Sequence, residues 1–228
     1  AGIGTTKSSG SIHLMSAESG NSGVSGSLLF STGKSSAGSS GNVVLSTSGS
    51  TDNSGSIVVS NGVSTGSLGG YMSLLAGSST GNTGGDAKLT TGLSSTKSSG
   101  FIRIQTANGG TTGVSGNLIF FSGTSSCGAT GLVSLATGDS KNGKAGNIEV
   151  VVGTGSASDG GSIHLVPGTS SSNSGGQMYI SSGGNERTSS GGVYFRSSNA
   201  GTNGVSGNLQ FYSGTSSSGA SGGINFIS

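Results

Sequence analysis

The chain offers little reactive chemistry: two histidines, one cysteine, nine basic residues and seven acidic ones. General acid–base work needs titratable groups held within reach of one proton, and a metal needs several converging ligands. His13 and His164 occupy the same point of a recurring motif but stand ten copies apart, so they cannot share a metal and read as exposed polar positions. Cys127 is single, which excludes a disulfide framework and a cysteine-based metal site; it reads as an unpaired thiol near a loop tip. Glu18, Asp52, Asp86, Asp139, Glu149, Asp159 and Glu186 fall at unrelated points, leaving no carboxylate pair. Lys88 and Arg103 do share a position in adjacent copies. Like charges stacked there must be solvated or neutralised, by an acidic sugar, a silicate surface or a partner's carboxylate. Gly153-Thr154-Gly155 is followed by no helical pattern and is no phosphate loop. The expectation is a non-enzyme with no catalytic, cofactor-binding or metal residues.

What would position these groups is a motif, Gly-x-apolar-x-apolar, that returns every fifteen residues or so. Its first copy is Gly10-Ser11-Ile12-His13-Leu14 and its last Gly222-Gly223-Ile224-Asn225-Phe226, with fifteen copies in all. Counting from the opening glycine, position 3 holds residues such as Ile12, Leu28, Ile57, Ile102 and Ile163. Position 5 holds Leu14, Phe30, Leu89, Phe120 and Phe226 among others. Apolar residues one apart lie on one face of an extended chain, and helix is excluded by the abundance of glycine and serine without a 3.6-residue period. A fixed short period with one strand-like core per copy is the mark of a solenoid. The expected fold is therefore all-β: a parallel β-solenoid of about fifteen rungs at the roughly 4.8 Å strand spacing, forming one continuous domain over residues 1–228. The chain opens on Ala1 and is expected to be an excerpt of a longer array.

Position 8 is mostly glycine (Gly33, Gly62, Gly77, Gly92), which suits a positive-φ bend ending the strand. Pro167 at position 7 fits the same strand end. Position 10 is usually serine (Ser35, Ser64, Ser79, Ser94), read as an extended turn or thin second strand whose hydroxyls satisfy turn backbone locally. Three intervals run to sixteen residues, each ending in Gly-Val-Ser-Gly: residues 23–26, 113–116 and 204–207. They recur every six copies, giving a six-rung super-repeat with an expected bulge at fixed pitch for a neighbouring chain to recognise.

Glycine makes up 49 of 228 residues and charged residues only 7%, a composition that without its period would signal disorder. A net charge of +2, with Lys7, Lys34, Lys88, Arg103, Lys141 and Lys144 scattered, excludes a nucleic-acid footprint. No apolar run approaches the roughly 18 residues of a membrane span. Two aliphatics per fifteen ordered residues bury little against the entropy of ordering a glycine-rich chain, so a lone rod is expected to be marginal. The outward positions 2, 4 and 6 carry a further apolar and aromatic patchwork, and exposed patches of that kind mark interfaces. Tyr71, Phe101, Phe121, Tyr179, Tyr194 and Tyr212 form the expected assembly surface.

The phrase Gly207-Asn208-Leu209-Gln210-Phe211-Tyr212-Ser213-Gly214-Thr215-Ser216 resembles the Gly/Ser/Thr-rich repeats of extracellular β-solenoid proteins, which occur in fibrous, cell-surface and biomineral-associated proteins of protists and simple animals. The resemblance covers the whole chain and implies secretion and a structural duty. The expected function is a self-assembling extracellular filament, fibre or mineral-associated scaffold built by lateral and end-to-end packing of β-solenoids. Its expected partners are copies of itself or related chains, with a glycan or mineral surface as a further one. The alternative is an ice- or crystal-surface-binding solenoid. Such proteins carry a regular threonine array, and here position 9 mixes Thr124, Thr154, Thr169 and Thr215 with Glu18, Lys34, Leu93 and Asp139.

Overall fold

Serine and asparagine at position 10 organise the local structure. Their side-chain oxygens accept hydrogen bonds from the backbone N–H of position 13: Ser67 to Ser64 at 3.2 Å, Asn82 to Ser79 at 3.0 Å, Lys97 to Ser94 at 2.9 Å and Asn173 to Ser170 at 2.9 Å. Asn185 does the same with both Arg187 and Thr188, at 2.7 and 2.8 Å. These short Ser/Asn turns hold the bends found at positions 11–13 of the fifteen-residue repeats, as at 36–38, 95–97 and 217–219. The hydroxyl role expected for position 10 is met. Replacing Ser94 by Ala is expected to release the Lys97 amide at a local cost of about 1 kcal/mol, seen as a steeper temperature coefficient of that amide proton; an unchanged coefficient would argue against the cap.

Past four of the bends, those before Gly85, Gly100, Gly176 and Gly191, the chain returns to its own repeat. The opening glycine of one copy donates to the position 8 carbonyl of the copy before it: Gly85 to Gly77 at 2.8 Å, Gly176 to Gly168 at 2.9 Å and Gly191 to Gly183 at 2.9 Å. The approach is close at these copies, where a Cβ on Gly176 would lie 3.2 Å from the Gly168 nitrogen, and looser at others such as Gly207 and Gly222. The position 8 glycines play a different part from the one expected. Among the described residues positive φ occurs only at position 13, in Gly38, Gly128 and Gly219 at 113°, 117° and 145°.

The computed structural model describes residues 9–156 and 159–227; Lys7 lies outside them. Among the described residues there is neither helix nor strand, so the expected parallel β-solenoid is not formed. Backbone–backbone hydrogen bonds there are confined to turns, and none joins the Gly-x-apolar-x-apolar runs of neighbouring copies in a ladder. Contacts between residues twelve or more apart are sparse, so successive copies do not stack along their length. No described residue is buried. The six half-buried ones, Ser35, Thr91, Ser94, Thr106, Ser122 and Pro167, all sit at positions 7 and 10, in the turns and not in the apolar seam. The physical reason is a contest that the seam loses. A turn closes over three to eight residues at small entropic cost. A rung demands that all fifteen be ordered for two aliphatic side chains.

Exposure gives the scale. The chain leaves 22849 Å² accessible. A compact protein of 21.5 kDa leaves about 9,200 Å², and a fully extended one about 31,000 Å².

Two units are distinguished, Ala1–Leu118 and Ile119–Ser228. In the first, the sixteen-residue repeats place the extra residue in hydrogen-bonded Gly-x-x-Gly turns, Gly23 donating to Gly20 and Gly113 to Gly110, both at 3.3 Å. The second unit has the third such turn, Gly204 donating to Gly201 at 3.3 Å. These are β-turns, not the expected bulges: a bulge needs a paired strand to interrupt, and no such pairing is present among the described residues.

Candidate assembly surface

The alternation written into the motif survives without strand pairing. Side chains at positions 2, 4 and 6 touch within one repeat, as they do along any extended run. Lys88 Nζ lies 3.7 Å from the Asp86 carboxylate, Arg103 Nε donates to Gln105 Oε1 and the Tyr179 hydroxyl donates to Gln177 Oε1. His13 pairs with Ser11 at 3.2 Å. The Tyr194 ring lies over Gly192, where a Cβ would meet it at 2.9 Å. Lys88 and Arg103, adjacent copies of one position, are thus each engaged by a neighbour two residues away. Both Lys88 and Asp86 are largely exposed, so their ion pair contributes little to stability.

The six residues of the expected assembly surface are all exposed. Tyr71 and Phe101 belong to the first unit, and Phe121, Tyr179, Tyr194 and Tyr212 to the second. The sequence reading missed how far the apolar surface extends. Positions 3 and 5 were expected to form a dry seam, yet they are exposed too, at some copies less so than the outward face (Ile57 at 49% beside Val58 at 81%, Met178 at 47% beside Tyr179 at 85%) and at others as much (Leu74 at 90% beside Leu75 at 84%). Both faces of each run are therefore open to a partner.

Neighbouring copies meet at position 5 in the second unit. Phe211 and Phe226 pack edge to face with ring centroids 6.3 Å apart, a geometry favoured by aromatic quadrupoles. Phe120, Val133, Ser134 and Leu135 line an apolar hollow of about 350 Å³ between the repeats opening at Gly116 and Gly131. In the first unit a larger, open polar cup of about 480 Å³ lies inside the turn formed by Thr32, Gly33, Lys34, Ser35, Gly38 and Ser40. It carries one basic side chain and no carboxylate or histidine. Cys127 is exposed at a bend, Ser126-Cys127-Gly128. Among the described residues no three of His, Cys, Asp and Glu converge on a point where a metal could sit. No helix of the described residues is long and apolar enough to cross a membrane.

No protein-family model, curated protein or solved structure matches this chain.

Proposed function

We propose that this chain is a structural, self-assembling protein of the extracellular space, whose copies pack laterally and end to end into a filament, fibre or mineral-associated scaffold. The observation that carries this reading is the exposure of the apolar side chains at positions 3 and 5, joined in most runs by apolar residues on the opposite face, with no described residue buried to receive them. Such surface is removed from water only by another molecule, and at about 25 cal/mol per Å² the gain from covering it is large. Tyr71, Phe101, Phe121, Tyr179, Tyr194 and Tyr212 supply the aromatic part of the contact, large amphipathic side chains of the kind enriched at interfaces. No reaction is assigned to the chain. Copies of itself are the proposed partners, with mineral or glycan surfaces meeting the scattered cations and the hydroxyl-rich turns.

Sedimentation velocity across a concentration series, followed by negative-stain microscopy, tests this. Oligomers should grow into elongated particles as concentration rises. A chain that stays monomeric at millimolar concentration would overturn the reading.

A further inference from the structure

Three valines stand apart. Val24, Val114 and Val205 each follow a hydrogen-bonded Gly-x-x-Gly turn, and each is 96% exposed. Their identical setting recurs once per six repeats. The repeat after each valine places a phenylalanine at position 5: Phe30, Phe120 and Phe211. Around Phe120 the next repeat adds Val133 and Leu135 to make the 350 Å³ hollow. Around Phe30 the corresponding residues are the same types, Val43 and Leu45. At the third position the corresponding residues are Ile224 and Phe226, and the Phe226 ring packs on Phe211. Phe211 is accordingly less exposed, at 55%, than Phe120 at 68% or Phe30 at 66%.

We propose that these valines are knobs that seat in the Phe120-Val133-Leu135 hollow of a second copy of this chain, and against the matching Phe30-Val43-Leu45 set, setting the register between copies. This rests on the assembly reading and names its contact. The valine does not fill the hollow of its own chain, because it is almost wholly exposed while the hollow stands open. The fit is in size and in chemistry: about 150 Å³ of apolar cavity already takes up benzene, and an isopropyl group is smaller. A contact between two different patches of the same chain is heterologous and propagates without closing, which yields fibres. One joint covers far less than the roughly 1,200 Å² of a stable interface. Repetition along the chain compensates, since the second seating is intramolecular once the first has formed. The area available is ample, because the chain exposes 22849 Å² where a compact chain of its mass exposes about 9,200 Å².

The test uses three full-length variants beside the parent. In the first, Val24, Val114 and Val205 are changed to Asp, removing the knobs. In the second, Val43→Glu and Val133→Glu block the hollows. The third is a charge-matched control, Val63→Asp, Leu68→Asp and Leu93→Asp, at residues equally exposed but away from the Gly-x-x-Gly turns. The concentration at onset of assembly, read by light scattering, should rise at least tenfold for the first two and no more than twofold for the control. An equimolar mixture of the first two should form one-to-one pairs in sedimentation that neither forms alone and should not grow into fibres, because each supplies what the other lacks at a single joint. If the parent assembles and the knob variant assembles equally well, or if the mixture forms no pairs, the seating is wrong while the assembly reading stands. If the parent itself never assembles, the assembly reading fails first.

Discussion

Heated at low micromolar concentration, the isolated chain should show no cooperative unfolding transition. A folded protein of 228 residues absorbs about 160 kcal/mol on melting, and cooperativity of that kind comes from a core whose members lose their contacts together. Here no described residue is buried, and the bonds that exist join residues at most eight apart. Calorimetry should return a flat trace, and amide exchange should be complete within minutes at neutral pH, slowest at turn amides such as Lys97 and Gly176. Truncating a seam residue should go unnoticed in the free chain. Ile102→Ala should change its exchange pattern by less than about 0.5 kcal/mol, where a core isoleucine would cost 2–5 kcal/mol. A sharp endotherm at this dilution would mean that the seam is dry after all.

Assembly should reverse that order of sensitivity. Ile57→Lys, Ile102→Lys and Ile163→Lys each put an ammonium group into surface that a partner copy has to cover. Leaving a charge unpaired in such a contact costs several kcal/mol, and every 1.4 kcal/mol is tenfold in affinity. Each substitution should therefore raise the assembly onset tenfold or more, measured by pelleting across a dilution series. Thr80→Lys, at an exposed bend, should shift it less than twofold. Because apolar association weakens on cooling and strengthens with sulfate, the parent's onset should rise at 4 °C and fall in ammonium sulfate. Equal tolerance of lysine at position 3 and at the bends would remove the apolar runs as the basis of assembly.

What could be read from the residues divides along the range of the forces involved. The phase of the repeat, the bends after position 10 and the sharing of one face by positions 2, 4 and 6 were legible, because each depends on neighbours within a few residues. Ser94 with Lys97 and Asp86 with Lys88 are instances. Stacking was not legible, although Ile12, Ile57 and Ile102 align perfectly in the sequence. Alignment states that copies could stack; whether they do depends on a balance between fifteen residues of lost entropy and two apolar side chains. Two finer signals were present but assigned to the wrong structure. Ser-x-x-Gly at 35–38, 125–128 and 216–219 places the left-handed glycine at position 13, not at position 8. Gly-x-x-Gly at 20–23, 110–113 and 201–204 spells a β-turn. The assembly residues were found through their apolar character on a nominally wet face, and Val24, Val114 and Val205 were noticed only as part of a longer spacing.

The Ser/Asn-capped bends draw on nothing outside their own neighbourhood, the longest bond reaching back from one opening glycine to the preceding position 8. A gene encoding such modules can therefore lose or gain whole copies by unequal crossing-over without misfolding the remainder. Allele length becomes free to drift, so long as insertions and deletions come in multiples that keep the valine-bearing modules in step with those of the neighbouring molecule.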